Sequence, residues 1–140
     1  MPRDSLLQML NYPPKILIAF GETISGNQEI LDWLMKNGYP ELAALSYAIR
    51  GSEEAFGWLM KNGYSHLAAL DSAIDNDPKA YSWLIEHKYL LLVVFADACH
   101  GKREAMEWFI RHDLKALFNI TQKIRQLRDS QTFDYHKLHF

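Results

Sequence analysis

Four tryptophans divide the chain at a constant interval. They lie 25 residues apart and are the only tryptophans among the 140 residues: Trp33, Trp58, Trp83 and Trp108. The heptapeptide WLMKNGY occurs twice at the same interval. Apolar residues recur in further columns, such as Leu42, Leu67, Leu92 and Leu117. A fixed period over several columns is typical of a tandem repeat, in which one structural unit is copied along the chain.

Turn signals divide each repeat into two short helices. Gly38 and Gly63 follow apolar-periodic segments, and glycine suits the left-handed conformation that ends a helix. Tyr39 and Tyr64 are then expected to pack back onto the last helical turn. Ser52, Ser65 and Asp77 are predicted N-terminal caps. The predicted helices span residues 5–11, 14–25, 28–37, 41–50, 53–62, 66–75, 78–88, 90–100, 102–112 and 115–127.

The repeats predict an all-α fold. We expect a single domain, 1–140, built as a solenoid of αα-hairpin repeats with about five 25-residue units. These units are an atypical N-terminal unit 2–26, the repeats 27–51, 52–76, 77–101 and 102–126, and a capping tail 127–140. Within the tail, residues 128–140 are expected to form a separate, degenerate helix. The tryptophan column is expected to supply the shared core, where truncation to alanine costs roughly 3–5 kcal/mol.

Most of the chain, about 26–126, resembles the ankyrin repeat family. GSEEAFGWLMKNGY from Gly51 and GNQEILDWLMKNGY from Gly26 resemble its second helix, and GKREAMEWFIRHDL from Gly101 does so less closely. LAALSYAIRG and LAALDSAIDN resemble its first helix. The Thr-Pro-Leu-His motif is absent, and the shorter period lacks the residues of the ankyrin β-hairpin. The resemblance implies a protein-binding stack without β-hairpin fingers and without catalytic residues.

The charge distribution and the cysteine content limit the classes of protein to which this chain could belong. The net charge is −2, but residues 1–101 hold 7 Lys/Arg against 12 Asp/Glu, whereas 102–140 hold 8 against 5. The single cysteine, Cys99, excludes an internal disulfide, and its apolar column predicts a buried, inert thiol. Neither a signal peptide nor a membrane-spanning run is visible. We therefore expect a cytoplasmic protein without a membrane partner.

Residues that could carry chemistry do not form a recognisable set. His136 and His139 have a spacing compatible with two metal ligands, but no further ligand completes the set. His87 and His112 occupy helix C-termini, where a structural role is expected. No phosphate-binding loop or hydrolase motif is present. We expect no catalytic residue, metal or cofactor.

Variable positions on the first helix of each repeat predict a recognition surface. The candidates are Tyr47, Arg50, Ser72, Asp75, Asp97, His100, Gln122 and Arg125. The leading hypothesis is a non-enzymatic protein–protein interaction module, or scaffold, that uses these positions to bind a protein or peptide. Two alternatives stay open: nucleic-acid or anionic-partner binding through the basic region 102–128, and an enzyme or small-ligand protein with a groove site. Nucleic acid is not the expected partner, and the chain is either monomeric or self-associates end to end.

Overall fold

The computed structural model describes residues 12–138, with side chains described for 12–130. Helices account for about four-fifths of this part of the chain, which contains no strand, so the all-α prediction is confirmed there. Three residues connect each helix to the next. The helices are α1 (Pro14–Ile24), α2 (Gln28–Lys36), α3 (Pro40–Ile49), α4 (Glu53–Lys61), α5 (Ser65–Ile74), α6 (Pro78–Glu86), α7 (Leu90–Cys99), α8 (Arg103–Arg111) and α9 (Lys115–Leu138).

Two kinds of helix alternate along the chain. The odd-numbered helices α3, α5 and α7 consist largely of small and apolar residues and are buried on most sides; eight residues of α3 are buried. The even-numbered helices α2, α4, α6 and α8 bury only one or two residues each and carry charged residues elsewhere. We call the odd-numbered helices inner and the even-numbered helices outer.

The inner helices close into a ring. Each packs against the next inner helix, and the last of them, α9, also packs against α1. Gly21 permits this closure, because a Cβ atom at that position would lie 3.3 Å from the Ile120 side chain. Lys123 Nζ of α9 also contacts Glu22 Oε1 of α1 at 3.2 Å. The expected solenoid has two free ends, whereas here the first and last described helices cover one another.

The helix ends follow the turn chemistry expected from sequence. Tyr39 and Tyr64 donate backbone N–H bonds of 2.9 Å to the carbonyls of Leu34 and Leu59, five residues back, which confirms their predicted places. The side chains of Ser52 and Asp77 cap α4 and α6 as predicted. Ser65 does not cap α5. It is the first residue of that helix, and Tyr64 occupies the cap position without a side-chain hydrogen bond.

The tryptophan column is not the core. Trp33 is 47% exposed and Trp58 is 36% exposed, and Trp83 and Trp108 are half-buried against the core, whereas the residue after each tryptophan is fully buried. That neighbouring column is Leu34, Leu59, Leu84 and Phe109. The tryptophans lie on the flank of the outer helices instead, where Trp58 stacks on Tyr64 and Trp83 stacks on Tyr89. The prediction of a tryptophan core was wrong because both columns are apolar, and only one can face the inner helices.

Helix α9 does not end where the sequence predicted. It continues from Lys115 to Leu138, so the separate helix expected for 128–140 is not formed within the described residues. Neither glycine nor proline interrupts this segment, and a helix without a stop signal continues. The predicted helix 5–11 lies outside the described residues.

Truncating Leu59 to alanine is expected to destabilise the protein more than truncating its neighbour Trp58. Leu59 is completely buried, and loss of a buried leucine costs about 2–5 kcal/mol. Trp58→Ala loses an aromatic pair worth about 0.5–1.5 kcal/mol beyond the area that it buries. Because Trp58 is 36% exposed, its removal leaves an open surface depression and not an enclosed cavity, so the cavity cost is smaller. Urea unfolding of both variants measures the difference. A larger decrease in the free energy of unfolding for Trp58→Ala would instead support the tryptophan core predicted from sequence.

Replacing Asp113 with glycine is expected to stabilise the fold by about 0.5–1 kcal/mol. Asp113 ends α8 with a φ of 55°, a left-handed conformation that costs an L-residue more than it costs glycine. Gly38 and Gly63 occupy the same position in earlier units. Asp113→Ala is the matched control, since it removes the charge but keeps the Cβ atom, and it should give no gain. An equal gain in both variants would show that charge, not backbone strain, is responsible.

Candidate functional site

The predicted recognition residues form two separate groups. Tyr47, Ser72, Asp97 and Gln122 are half-buried and lie inside inner helices. Arg50, Asp75 and His100 are the C-terminal cap residues of α3, α5 and α7, and Arg125 occupies the equivalent position within α9. The structure therefore does not join all eight into one exposed stripe.

The first group contacts the preceding outer helices. The hydroxyl oxygen of Tyr47 accepts a 2.9 Å hydrogen bond from Gln28 Nε2 of α2. Asp97 accepts a 3.1 Å bond from the Tyr81 hydroxyl of α6. Gln122 Nε2 lies 3.4 Å from the sulfur of Met106 in α8. Three of these four positions thus fasten an inner helix to its outer neighbour.

The second group lies at one end of the ring and is partly paired. Asp75 Oδ1 contacts Arg128 Nη1 at 2.7 Å, and His100 Nε2 donates to the carbonyl of Ile74 at 2.9 Å. Arg125 packs over Gly101, where a Cβ atom would lie only 2.7 Å from its guanidinium carbon. Arg50 is exposed and carries its positive charge at the surface.

An open groove runs between α2 and α4, and we call it the α2–α4 groove. Met35 and Trp58 form its two walls, and Tyr47 from α3 lines its floor. It encloses about 360 Å³. Most of its surface is apolar, and both walls keep a large apolar side chain partly exposed. The complete lining is Met35, Pro40, Ala44, Tyr47, Ser52, Glu54, Ala55 and Trp58.

Met35 belongs to a repeated column, two positions after each tryptophan, that was not among the predicted recognition residues. Its members are 47% to 57% exposed, although all are large and apolar: Met35, Met60, Ile85 and Ile110. The signal was present in sequence, because an apolar residue stands two positions after every tryptophan. It was missed because a repeated apolar column suggests burial. The exposure of this column is the reason the groove has an apolar wall.

The contacts of His87, His112 and Cys99 support a structural role for these side chains. Nδ1 of His87 and of His112 lies 2.8 Å from the carbonyl of Trp83 and of Trp108, to which it donates. Each ring also stacks on its tryptophan, with centroids 4.0 and 4.1 Å apart. Cys99 is buried, and burial raises the pKa of its thiol, so it is not a reactive thiolate. Within residues 12–130, no three His, Cys, Asp or Glu side chains lie together as metal ligands would; His136 and His139 lie outside the described side chains.

Four of the seven Lys/Arg residues in the basic region 102–128 have acidic partners. Lys102 contacts Asp97 at 3.2 Å, Arg103 contacts Glu107 at 3.0 Å, and Lys123 contacts Glu22. Arg128 contacts Asp75. Charges already paired in this way contribute less to a field that would attract phosphate groups.

Arg128 also approaches a buried carboxylate at the same end of the ring. Its Nη2 atom lies 4.0 Å from Oδ1 of Asp71, which is buried and accepts no hydrogen bond at that oxygen from any residue that the structure describes. The pKa of Asp71 is raised to about 6 by burial and by the charge of Asp75, against the opposing charge of Arg128. The negative charge of Asp71 is therefore unfavourable in the folded protein near neutral pH.

Comparison with protein-family models found no match, and searches of curated proteins and of solved structures found none either. No helix in the described part of the chain combines the length and the apolar character that crossing a membrane requires.

Asp71 is expected to make folding stability depend on pH between about 4 and about 6. Its pKa rises from 3.8 to about 6 on folding, so the folded state binds the proton more tightly. Stability should therefore rise as the pH falls through 6, by at most about 3 kcal/mol. Urea unfolding across this range should show the wild type gaining stability relative to Asp71→Asn. The exposed variant Glu53→Gln is the control, and a parallel pH profile for wild type and Asp71→Asn would contradict the assignment.

Proposed function

We propose that this protein is a non-enzymatic binding module that holds a segment of a protein partner in the α2–α4 groove. The observation that carries the proposal is the groove itself, an open cleft with Met35 on one wall and Trp58 on the other. Covering such apolar surface is favourable by about 25 cal/mol per Å². Tryptophan is also among the residues that contribute most to protein interfaces.

The position of Tyr47 links this proposal to the recognition surface expected from sequence. Tyr47 is one of the variable first-helix residues, and it lines the floor between the two walls. Its hydroxyl is held by Gln28, so a rigid aromatic side chain is already in place before a partner arrives. Such preorganisation reduces the entropy lost on binding.

We also propose that the chain is an array of 25-residue αα units similar to ankyrin repeats without β-hairpins. The inner helices α3, α5, α7 and α9 begin at Pro40, Ser65, Leu90 and Lys115, which supports that period. A three-residue turn stands wherever the hairpin of an ankyrin repeat would be. A cytoplasmic location and function without a cofactor stay predictions from sequence.

Selection of peptides from a random displayed library tests the groove. Peptides selected on the wild-type protein are expected to bind about tenfold more weakly to Met35→Gln, because an interface residue at the centre of a contact contributes more than 1 kcal/mol. Ile110→Gln is the matched control, since Ile110 occupies the same column and is equally exposed but lies outside the groove.

Circular dichroism establishes that both variants fold like the wild type. Binding that survives Met35→Gln, or that is lost equally in Ile110→Gln, would exclude the α2–α4 groove as the docking site.

A further inference from the structure

Among the residues that the structure describes, Glu54 is the only charged one that lines the α2–α4 groove. Its carboxylate makes no hydrogen bond or ion pair with any residue in the described part of the chain. The other polar lining groups are occupied: the Ser52 hydroxyl accepts the backbone N–H of Ala55, and the Tyr47 hydroxyl accepts from Gln28. The groove therefore presents one negative charge that no neighbouring cation neutralises.

Glu54 lies beside the aromatic wall. It precedes Trp58 by four residues in α4, so the two side chains are neighbours on one face of the helix. Tyr64 stacks on the Trp58 ring at a centroid distance of 5.9 Å, yet Trp58 keeps 36% of its surface exposed. A cation placed between the carboxylate and the indole is attracted by both, because an aromatic face is electron-rich.

The two later units do not reproduce the charge pattern around Glu54. Lys79 replaces Glu54 in the next unit, which removes the negative charge there. In the unit after that, Glu104 replaces Glu54, but Lys102 stands in place of Ser52 and forms an ion pair with Asp97. Among these three units, only the one that holds Glu54 combines an acidic residue at this position with no lysine at the position of Ser52 or Glu54.

We propose that the partner segment carries a lysine or arginine next to a large apolar residue. The apolar side chain lies between Met35 and Trp58, and the cation contacts Glu54 and the face of the indole. The net charge of the N-terminal part of the chain favours the same partner, since residues 1–101 hold 12 Asp/Glu against 7 Lys/Arg. This inference rests on the proposed function, because it assigns the chemistry of the segment that the groove holds.

Two synthetic peptides that differ in one charge test the proposal. Acetyl-Gly-Leu-Lys-Leu-Gly-amide and acetyl-Gly-Leu-Glu-Leu-Gly-amide are titrated into the full chain while NMR follows the indole N–H of Trp58 and the amide of Ala55. The lysine peptide is expected to bind up to about tenfold more tightly, since an exposed ion pair is worth about 0.2–1 kcal/mol and the glutamate peptide adds repulsion. Added salt should reduce the ratio.

Variants of two neighbouring residues distinguish the effect of the Glu54 carboxylate from the effect of the protein's overall negative charge. Glu54→Gln should bring the two affinities to within about twofold of each other, whereas Glu53→Gln should leave the preference intact, because Glu53 does not line the groove. Equal affinities in the wild type, or an equal effect of both variants, would overturn the charge preference while leaving the groove as a docking site. Shifts confined to residues outside the groove would overturn the site itself.

Discussion

Burial of the apolar faces of the inner helices is the constraint on which the rest of this structure depends. An isolated helix of 10 residues, such as α3, is marginal in water because one turn must form before any hydrogen bond is gained. Closing the ring gives every inner helix two inner neighbours. The columns that meet there are almost completely buried, including Phe20, Leu45, Leu70, Phe95 and Ile120. The close approach of α9 at Gly21 allows the same burial at the point of closure.

The outer helices, and with them the groove, follow from this ring. Each outer helix packs against the inner helices on either side of it and buries only a narrow face, such as Leu31 and Leu34 of α2. An outer layer wrapped around a ring has a larger circumference than the inner layer, so helices of similar width cannot fill it. Gaps are left between neighbouring outer helices, and their flanks stay exposed. Met35 and Trp58 face each other across one such gap.

The same geometry explains why more of the fold than of the candidate site could be predicted from the sequence. Helix starts and turns depend on residues close together in the chain, such as Asp77 before Pro78 or Gly38 after Asn37, and these predictions agree with the structure. The recognition residues depend on how far one helix is rotated against another. Tyr47 does line the groove, but Asp97 and Gln122 are engaged with outer helices, which no single repeat reveals.

The tryptophan column shows which feature of the fold sequence periodicity cannot predict. Trp58 and Leu59 are adjacent, both are apolar, and both recur in the next unit as Trp83 and Leu84. Periodicity identifies the pair of columns but does not state which one faces inward. Neighbouring residues on a helix point about 100° apart, so a modest rotation of α4 about its axis would exchange the buried residue for the exposed one. The contacts of α4 with α3 and α5 settle that rotation.

The sequence by itself determined the helical class and the ends of most helices, because these follow from propensities and turn residues that act within a few positions. Only the tertiary structure decided that α9 meets α1, that leucine rather than tryptophan fills the core, and that a groove opens beside Met35. The physical reason is that closure of the ring depends on the small rotations between successive helices. Each rotation depends on the side-chain packing between helices. The closure of the ring can therefore be determined only from the tertiary structure.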